Sequence, residues 1–125
     1  MSAYVIWMDM DHAKIFSIAE SGRSMVVVER SEIRHHTNAD PENHKNTHRY
    51  FLDVASRVRD ASEIVLMGPS LAKDHFNKFL AEKFEATVSK KVVGILTTDH
   101  PTENQLLEQA RKFFKVHDAF EAPVA

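Results

Sequence analysis

The 125-residue sequence contains no cysteine, which excludes disulfides, thiolate metal sites and cysteine nucleophiles. No apolar run approaches the roughly 20 residues that span a bilayer, and only three glycines are present, so there is no glycine-rich phosphate loop. The apolar amino terminus has no basic start and therefore predicts a strand, not a signal peptide. A net charge of −2 argues against a protein that coats nucleic acid through general basicity. We expect a cytoplasmic protein without a membrane partner.

Hydrophobic periodicity predicts five strands and three helices in one domain. The predicted strands are 3–9, 13–18, about 24–34, 63–67 and about 91–97, and the predicted helices are about 48–60, about 70–84 and one that begins at 102. Trp7 is expected in the core of the first strand. The fifth strand is apolar on both faces, which predicts a place in the middle of the sheet. Thr102 and Gln105 have the spacing of a capping box.

The element order βββαβαβα indicates how these elements assemble. A meander followed by two right-handed crossovers predicts a mixed five-stranded sheet with helices packed on it, the ribonuclease H-like architecture. We expect a single α/β domain over residues 1–117 and a flexible tail over 118–125.

The best-formed candidate site lies between residues 64 and 84. A buried strand ends at Gly68-Pro69-Ser70 and leads directly into an amphipathic helix. Such a turn leaves main-chain N–H groups and the positive end of the helix dipole at the carboxyl edge of the sheet. We expect Ser70 to cap the helix and Lys73, in its first turn, to face an anion such as an RNA phosphate. The alternative is an ordinary capped helix whose lysine points into water.

A polar stretch over residues 35–47 predicts a long loop, because it holds no apolar side chain larger than Ala39. Four of the eight histidines lie in or beside it: His35, His36, His44 and His48. Imidazoles bind Zn, Ni or Cu, so a metal site is one interpretation. Their spacing matches no standard site, and the other interpretation is a solvated loop. We expect no cofactor.

Several acids raise the alternative of a metal-dependent hydrolase or nuclease. Ribonuclease H-type nucleases hold two Mg²⁺ with acids on the first strand, the first helix and the end of the fourth strand. Asp9 or Asp11 could serve as the first and Asp53 as the second. The fourth strand ends without a carboxylate, and Asp99 is a poor replacement. Asp11-His12 is more simply a hairpin turn.

The apolar strand, its turn and the following Leu71-Ala72-Lys73-Asp74-His75-Phe76 resemble the middle domain of archaeal and eukaryotic class-1 peptide-release factors. Arg49-Tyr50-Phe51 is similar to the start of that domain's helix after its mobile loop. The resemblance covers nearly the whole chain and looks most like the diverged bacterial stand-alone relatives. It implies the same meander-first fold and a translation-related ancestry.

One departure from the family pattern bears directly on function. The release factors carry Gly-Gly-Gln on the loop before the first helix, where it enters the peptidyl-transferase centre, whereas residues 35–47 contain neither Gly nor Gln. We therefore expect a non-catalytic binding module that contacts RNA, the ribosome or a protein partner. The expected contacts are Gly68, Ser70, Lys73, Arg49 and Lys45. A homodimer that pairs through an exposed sheet edge is a third interpretation.

Overall fold

The computed structural model describes the main chain of residues 2–21, 25–34 and 43–121 and the side chains of residues 3–18 and 46–117. Within these ranges, five strands, three α-helices and one short 3-10 helix follow each other along the chain. They are β1 (Ser2–Met8), β2 (His12–Ser21), β3 (Met25–Arg34), α1 (Asn43–Arg57), β4 (Ala61–Gly68), α2 (Ala72–Lys83), the 3-10 helix (Val88–Lys91), β5 (Val92–Thr97) and α3 (Glu103–Glu121).

The strands form one mixed sheet in the order β3-β2-β1-β4-β5. β1 pairs antiparallel with β2, and β2 pairs antiparallel with β3, as expected for a meander. The β1–β4 and β4–β5 pairs are parallel, as two crossover connections require. The observed architecture is the α/β, ribonuclease H-like arrangement that the element order predicts.

Helices cover both faces of the sheet, because alternate residues of the central strands are apolar on each side. One face packs on α1 and α2, through a cluster that includes Tyr4, Ile6, Ile64, Leu66, Val54, Phe51, Phe76 and Leu80. The opposite face packs on α3, through Val5, Trp7, Phe16, Ile18, Val65, Met67, Leu106, Ala110 and Phe114. None of the helices in the described ranges is long and apolar enough to cross a membrane.

β5 lies at the edge of the sheet, so the prediction that it occupies the middle is wrong. Its apolar character arises because helices flank both of its faces. Val92 packs with the α1 and α2 cluster, while Val93 and Leu96 pack with the α3 cluster. Ile95 is 37% exposed, which is consistent with a strand that has a neighbour on one side only. A run of apolar residues thus reports which faces are buried and does not report the position of the strand in the sheet.

Two helices extend beyond their predicted bounds. α1 begins at Asn43, so the last five residues of the predicted 35–47 loop are helical, and residues 35–42 lie outside the described residues. Pro41 and Glu42, directly before it, are residue types favoured near a helix start. The helix was nevertheless predicted to begin later, because residues 35–47 lack large apolar side chains. α3 continues to Glu121, into the predicted tail over 118–125.

The capping box at the start of α3 is confirmed. The Thr102 hydroxyl accepts the N–H of Gln105 at 3.2 Å, and the Gln105 side-chain oxygen accepts the N–H of Thr102 at 3.0 Å. The two bonds satisfy two main-chain donors at this helix end.

Gly68 ends β4 at a very close approach to β1. A Cβ built on Gly68 would overlap the main-chain oxygen of Met8, which belongs to the central strand. The Gly68 carbonyl also accepts the N–H of Thr98 at 2.9 Å, which joins the end of β4 to the chain that leaves β5. A side chain at this position would therefore push the ends of β1 and β4 apart.

We expect Gly68→Ala to lower the free energy of unfolding by about 1–3 kcal/mol, the range typical of overpacking. Gly94→Ala is the matched control. A Cβ there would meet the ring of Phe113, a half-buried side chain that can rotate away, so the loss should be smaller. Urea unfolding of both variants and the wild type measures the difference. Equal losses of unfolding free energy in the two variants would show that the contact with Met8 is not what requires a glycine at position 68.

Candidate functional site

Four segments meet at one edge of the sheet, the edge at which β1, β4 and β5 end. They are residues 9–12 after β1, 68–73 after β4, 98–101 after β5, and the start of α1 over 43–50; we call this surface the carboxyl edge. β3 also ends here, because its last residue, Arg34, pairs with His12. The predicted loop and the predicted turn, which are more than 20 positions apart in sequence, are therefore anchored at the same edge.

Tyr50 holds the start of α1 against this edge. Its hydroxyl donates a hydrogen bond to the main-chain oxygen of Asp9 at 3.0 Å, and 4% of the residue is exposed. Burial raises the pKa of the Tyr50 phenol well above its ordinary range, and the nearby carboxylates of Asp9 and Asp11 raise it further. The phenol therefore stays protonated and remains a donor to the hairpin.

Ser70 does not cap α2, and that prediction is wrong. The helix begins at Ala72, so Leu71 occupies the N-cap position and makes no side-chain capping bond. The Ser70 hydroxyl lies 3.5 Å from the N–H of Ala72, at the limit of a hydrogen bond. The turn uses one more residue than the sequence pattern suggested, which leaves Ser70 exposed ahead of the helix.

Lys73 is 4% exposed, so the prediction that its ammonium points out of the domain is also wrong. Its Nζ donates to the main-chain oxygen of Ser70 at 2.6 Å and to Oδ2 of Asp74 at 3.3 Å. A buried charge must be hydrogen-bonded or paired, and Lys73 meets both conditions, through Ser70 in the turn and Asp74 in α2. Lys73 thus braces the 68–73 turn from within.

Two cations of the predicted site, Arg49 and Lys45, lie near the start of α1. Arg49 is exposed on the outer face of the helix, near its start. Lys45 lies in the first turn of α1, where the main chain is described and the side chain is not. Both positions lie in the first two turns of α1, the end of that helix at the carboxyl edge.

The histidine metal site is not assembled among the described residues. His48 is exposed on α1, and its ring packs edge-on against Phe79 with 5.4 Å between ring centroids. The side chain of His44 and all of His35 and His36 lie outside the described residues. Within the described part of the chain, no group of three or more His, Asp or Glu side chains is arranged to hold a metal ion.

The carboxylates of the hydrolase alternative point in different directions. Oδ1 of Asp9 accepts the N–H groups of Asp11 and His12 at 2.8 and 2.9 Å, which shapes the β1–β2 turn. Asp53 lies on the solvent face of α1, 3.9 Å from Arg57. The side chain of Asp99 is 99% exposed. These acids do not converge on one point, as a pair of Mg²⁺ ions would require.

A pocket that the sequence did not reveal opens on the α3 side of the carboxyl edge. Trp7 is 3% exposed, as predicted for a core residue, and its Nε1 donates to the main-chain oxygen of Asp99 at 3.0 Å. The rings of His12 and His100 lie 5.3 and 5.2 Å from the indole. The pocket encloses about 200 Å³ and is lined by Trp7, His12, Lys14, Phe16, His100, Pro101, Glu103 and Leu106. The alternation of His12, Lys14 and Phe16 along β2 is the sequence feature from which this pocket could have been predicted.

No protein-family model and no curated protein matches the sequence. Solved structures do match: Pelota of Archaeoglobus fulgidus superposes with a TM-score of 0.62 at 18% identity, over 89% of this chain. An archaeal translation termination factor, aRF1, superposes with a TM-score of 0.59 at 15% identity, over 96% of this chain. The fold is that of a release-factor-like domain. The chain spans 31% of the length of the Pelota structure and 41% of the aRF1 structure.

RuvC of Thermus thermophilus also matches, with a TM-score of 0.53 at 12% identity, over 79% of this chain and 64% of RuvC. This similarity agrees with the ribonuclease H-like topology of the sheet. At these identities the likeness concerns the fold, because a fold does not carry its chemistry with it.

We expect Lys73→Ala to lower the free energy of unfolding by about 1–3 kcal/mol, because it removes a charged donor from a buried turn. The sequence alone, with the lysine solvated, would predict almost no change. Lys78→Ala, which removes an exposed lysine from the same helix, is the control and should stay within about 0.5 kcal/mol of the wild type. Chemical unfolding measures both. A Lys73 variant as stable as the Lys78 variant would contradict the bracing role.

Proposed function

We propose that this domain is a non-catalytic, translation-related binding module that contacts ribosomal RNA through the carboxyl edge. The observation that carries the proposal is the meeting of the α1 start with the 68–73 turn at one edge, in a fold shared with an archaeal translation termination factor. A protein that works with the ribosome acts in the cytoplasm, which is the location we propose.

The contacts that we propose are of two kinds. Arg49 and Lys45 would meet RNA phosphates directly, because both lie in the first two turns of α1 at this edge. Ser70 would present the exposed main chain of the turn. Gly68 is buried against Met8, so it would act indirectly, as Lys73 would, by holding that turn in shape. Contacts of this type position a protein on the RNA backbone and do not read its sequence.

Peptide release is not part of the proposal. The family's Gly-Gly-Gln supplies both a tight main-chain turn and a side chain, and residues 35–47 offer neither Gly nor Gln for these tasks. No cofactor is proposed, because binding through main-chain donors and cations requires none.

We expect Arg49→Gln to reduce co-sedimentation of the protein with ribosomes. The loss should be largest at low salt, and the logarithmic salt slope should shrink by about one unit, because one phosphate contact is removed. Arg111→Gln is the charge-matched control, since Arg111 is exposed on α3, on the opposite face of the sheet. The measurement is pelleting over a salt series for the wild type and both variants.

Equal losses of co-sedimentation for Arg49→Gln and Arg111→Gln would indicate non-specific attraction to the ribosome. That result would contradict binding through the carboxyl edge. Pelleting of the wild type that does not change with salt would contradict a phosphate contact and would favour a protein partner.

We expect the release of formyl-methionine from programmed ribosomes to stay at background at every concentration of this protein. The reason is the missing Gly and Gln over residues 35–47. The assay includes a release factor as positive control. Release that rises in proportion to the amount of protein added would overturn the non-catalytic assignment.

A further inference from the structure

The pocket beside Trp7 has a built geometry that the proposed ribosome contact does not use. His12 and Lys14 project from β2 on the face that α3 covers, and His100 approaches from the connection between β5 and α3. The two imidazole rings flank the same indole at almost equal distances, 5.3 and 5.2 Å. Three aromatic rings from three separate segments therefore face one small space.

The exposure of these rings increases from the floor of the pocket to its rim. Trp7 is 3% exposed, whereas the side chain of His12 is 25% exposed and that of His100 is 68% exposed. A volume of about 200 Å³ lies below the roughly 300–1,000 Å³ of pockets that take drug-sized molecules. The space therefore suits one planar ring system, such as a base, with the rest of the ligand outside.

The charges around the pocket are unequal on its two sides. The ammonium of Lys14 lies over the indole, 5.8 Å from the ring centroid, on the β2 side. Glu103 lines the α3 side, and the carboxylates of Asp9 and Asp99 lie 3.4 and 3.5 Å from the Nδ1 atoms of the two imidazoles. An anionic group attached to the bound ring would be attracted to the Lys14 side and repelled from the Glu103 side.

We propose that this pocket binds a single nucleotide, with its base in the space that Trp7, His12 and His100 line and its phosphate beside Lys14. Flat rings that stack on aromatic side chains, next to a cation, are how proteins hold unpaired nucleotides. An aliphatic anion would leave the aromatic walls without a partner. The nucleotide is either free or part of an RNA strand, and only the second case rests on the proposed function.

The chain contains one tryptophan, Trp7, so its fluorescence reports on this pocket alone. We would titrate the whole protein with adenosine monophosphate, adenosine, inorganic phosphate and a short single-stranded oligoadenylate. We expect a saturable change in Trp7 fluorescence with adenosine monophosphate, a weaker change with adenosine and no change with inorganic phosphate. Tighter binding of the oligonucleotide than of the monophosphate assigns the site to RNA; tighter binding of the monophosphate assigns it to a free nucleotide.

Single-residue variants then test whether the nucleotide binds in this pocket. His100→Ala should weaken nucleotide binding roughly five- to hundredfold, the range for loss of one stacked ring. Lys14→Gln should weaken the binding of adenosine monophosphate but not that of adenosine. Glu103→Gln should weaken the binding of neither ligand. Lys112→Gln, on the exposed face of α3, is the control for lost charge and should bind like the wild type.

No saturable fluorescence change with any nucleotide would overturn the inference, as would equal binding by the wild type and the His100 variant. Neither result would bear on ribosome pelleting, because Arg49 lies outside the residues that line the pocket. The proposed ribosome contact and the proposed nucleotide site can therefore be refuted independently.

Discussion

The parallel pairing of β1 with β4 is the constraint on which the rest of the structure depends. β1 is the middle strand of five, and its apolar residues are buried on both faces. Because β4 runs parallel to it, α1 must carry the chain back across the sheet, from the carboxyl edge to the opposite edge. That crossover brings the start of α1 and the 68–73 turn together. The contact between Gly68 and Met8 shows how closely the two strands approach where the candidate site begins.

Much of the polar chemistry at the carboxyl edge is used inside the protein. Lys73 binds the turn that contains it, Asp9 shapes its own hairpin, and Tyr50 fastens α1 to that hairpin. Groups held in this way keep a surface rigid, and a rigid surface loses less entropy when it binds a partner. Among the described residues, the acids near this edge do not gather into a group that could hold a metal ion.

The low identity to Pelota and aRF1 and the similarity of their folds have a common physical explanation. The core requires apolar residues of suitable size at alternating positions, and many combinations of Val, Ile, Leu, Met and Phe meet that requirement. Residues that act on a partner are not interchangeable in this way. A shared fold at 15–18% identity is therefore compatible with the absence of Gly-Gly-Gln from residues 35–47.

The element order, the mixed sheet, the core position of Trp7 and the capping box of α3 could all be predicted from the residue pattern, because periodicity and capping depend on residues close together in the chain. The folded structure was needed to establish that β5 is an edge strand, that Lys73 is buried and that the predicted acids do not form a metal-binding group among the described residues. It also brought Trp7 to Asp99 and His100, about three quarters of the chain away. Such contacts depend on strand order and crossover direction, which a local pattern does not record.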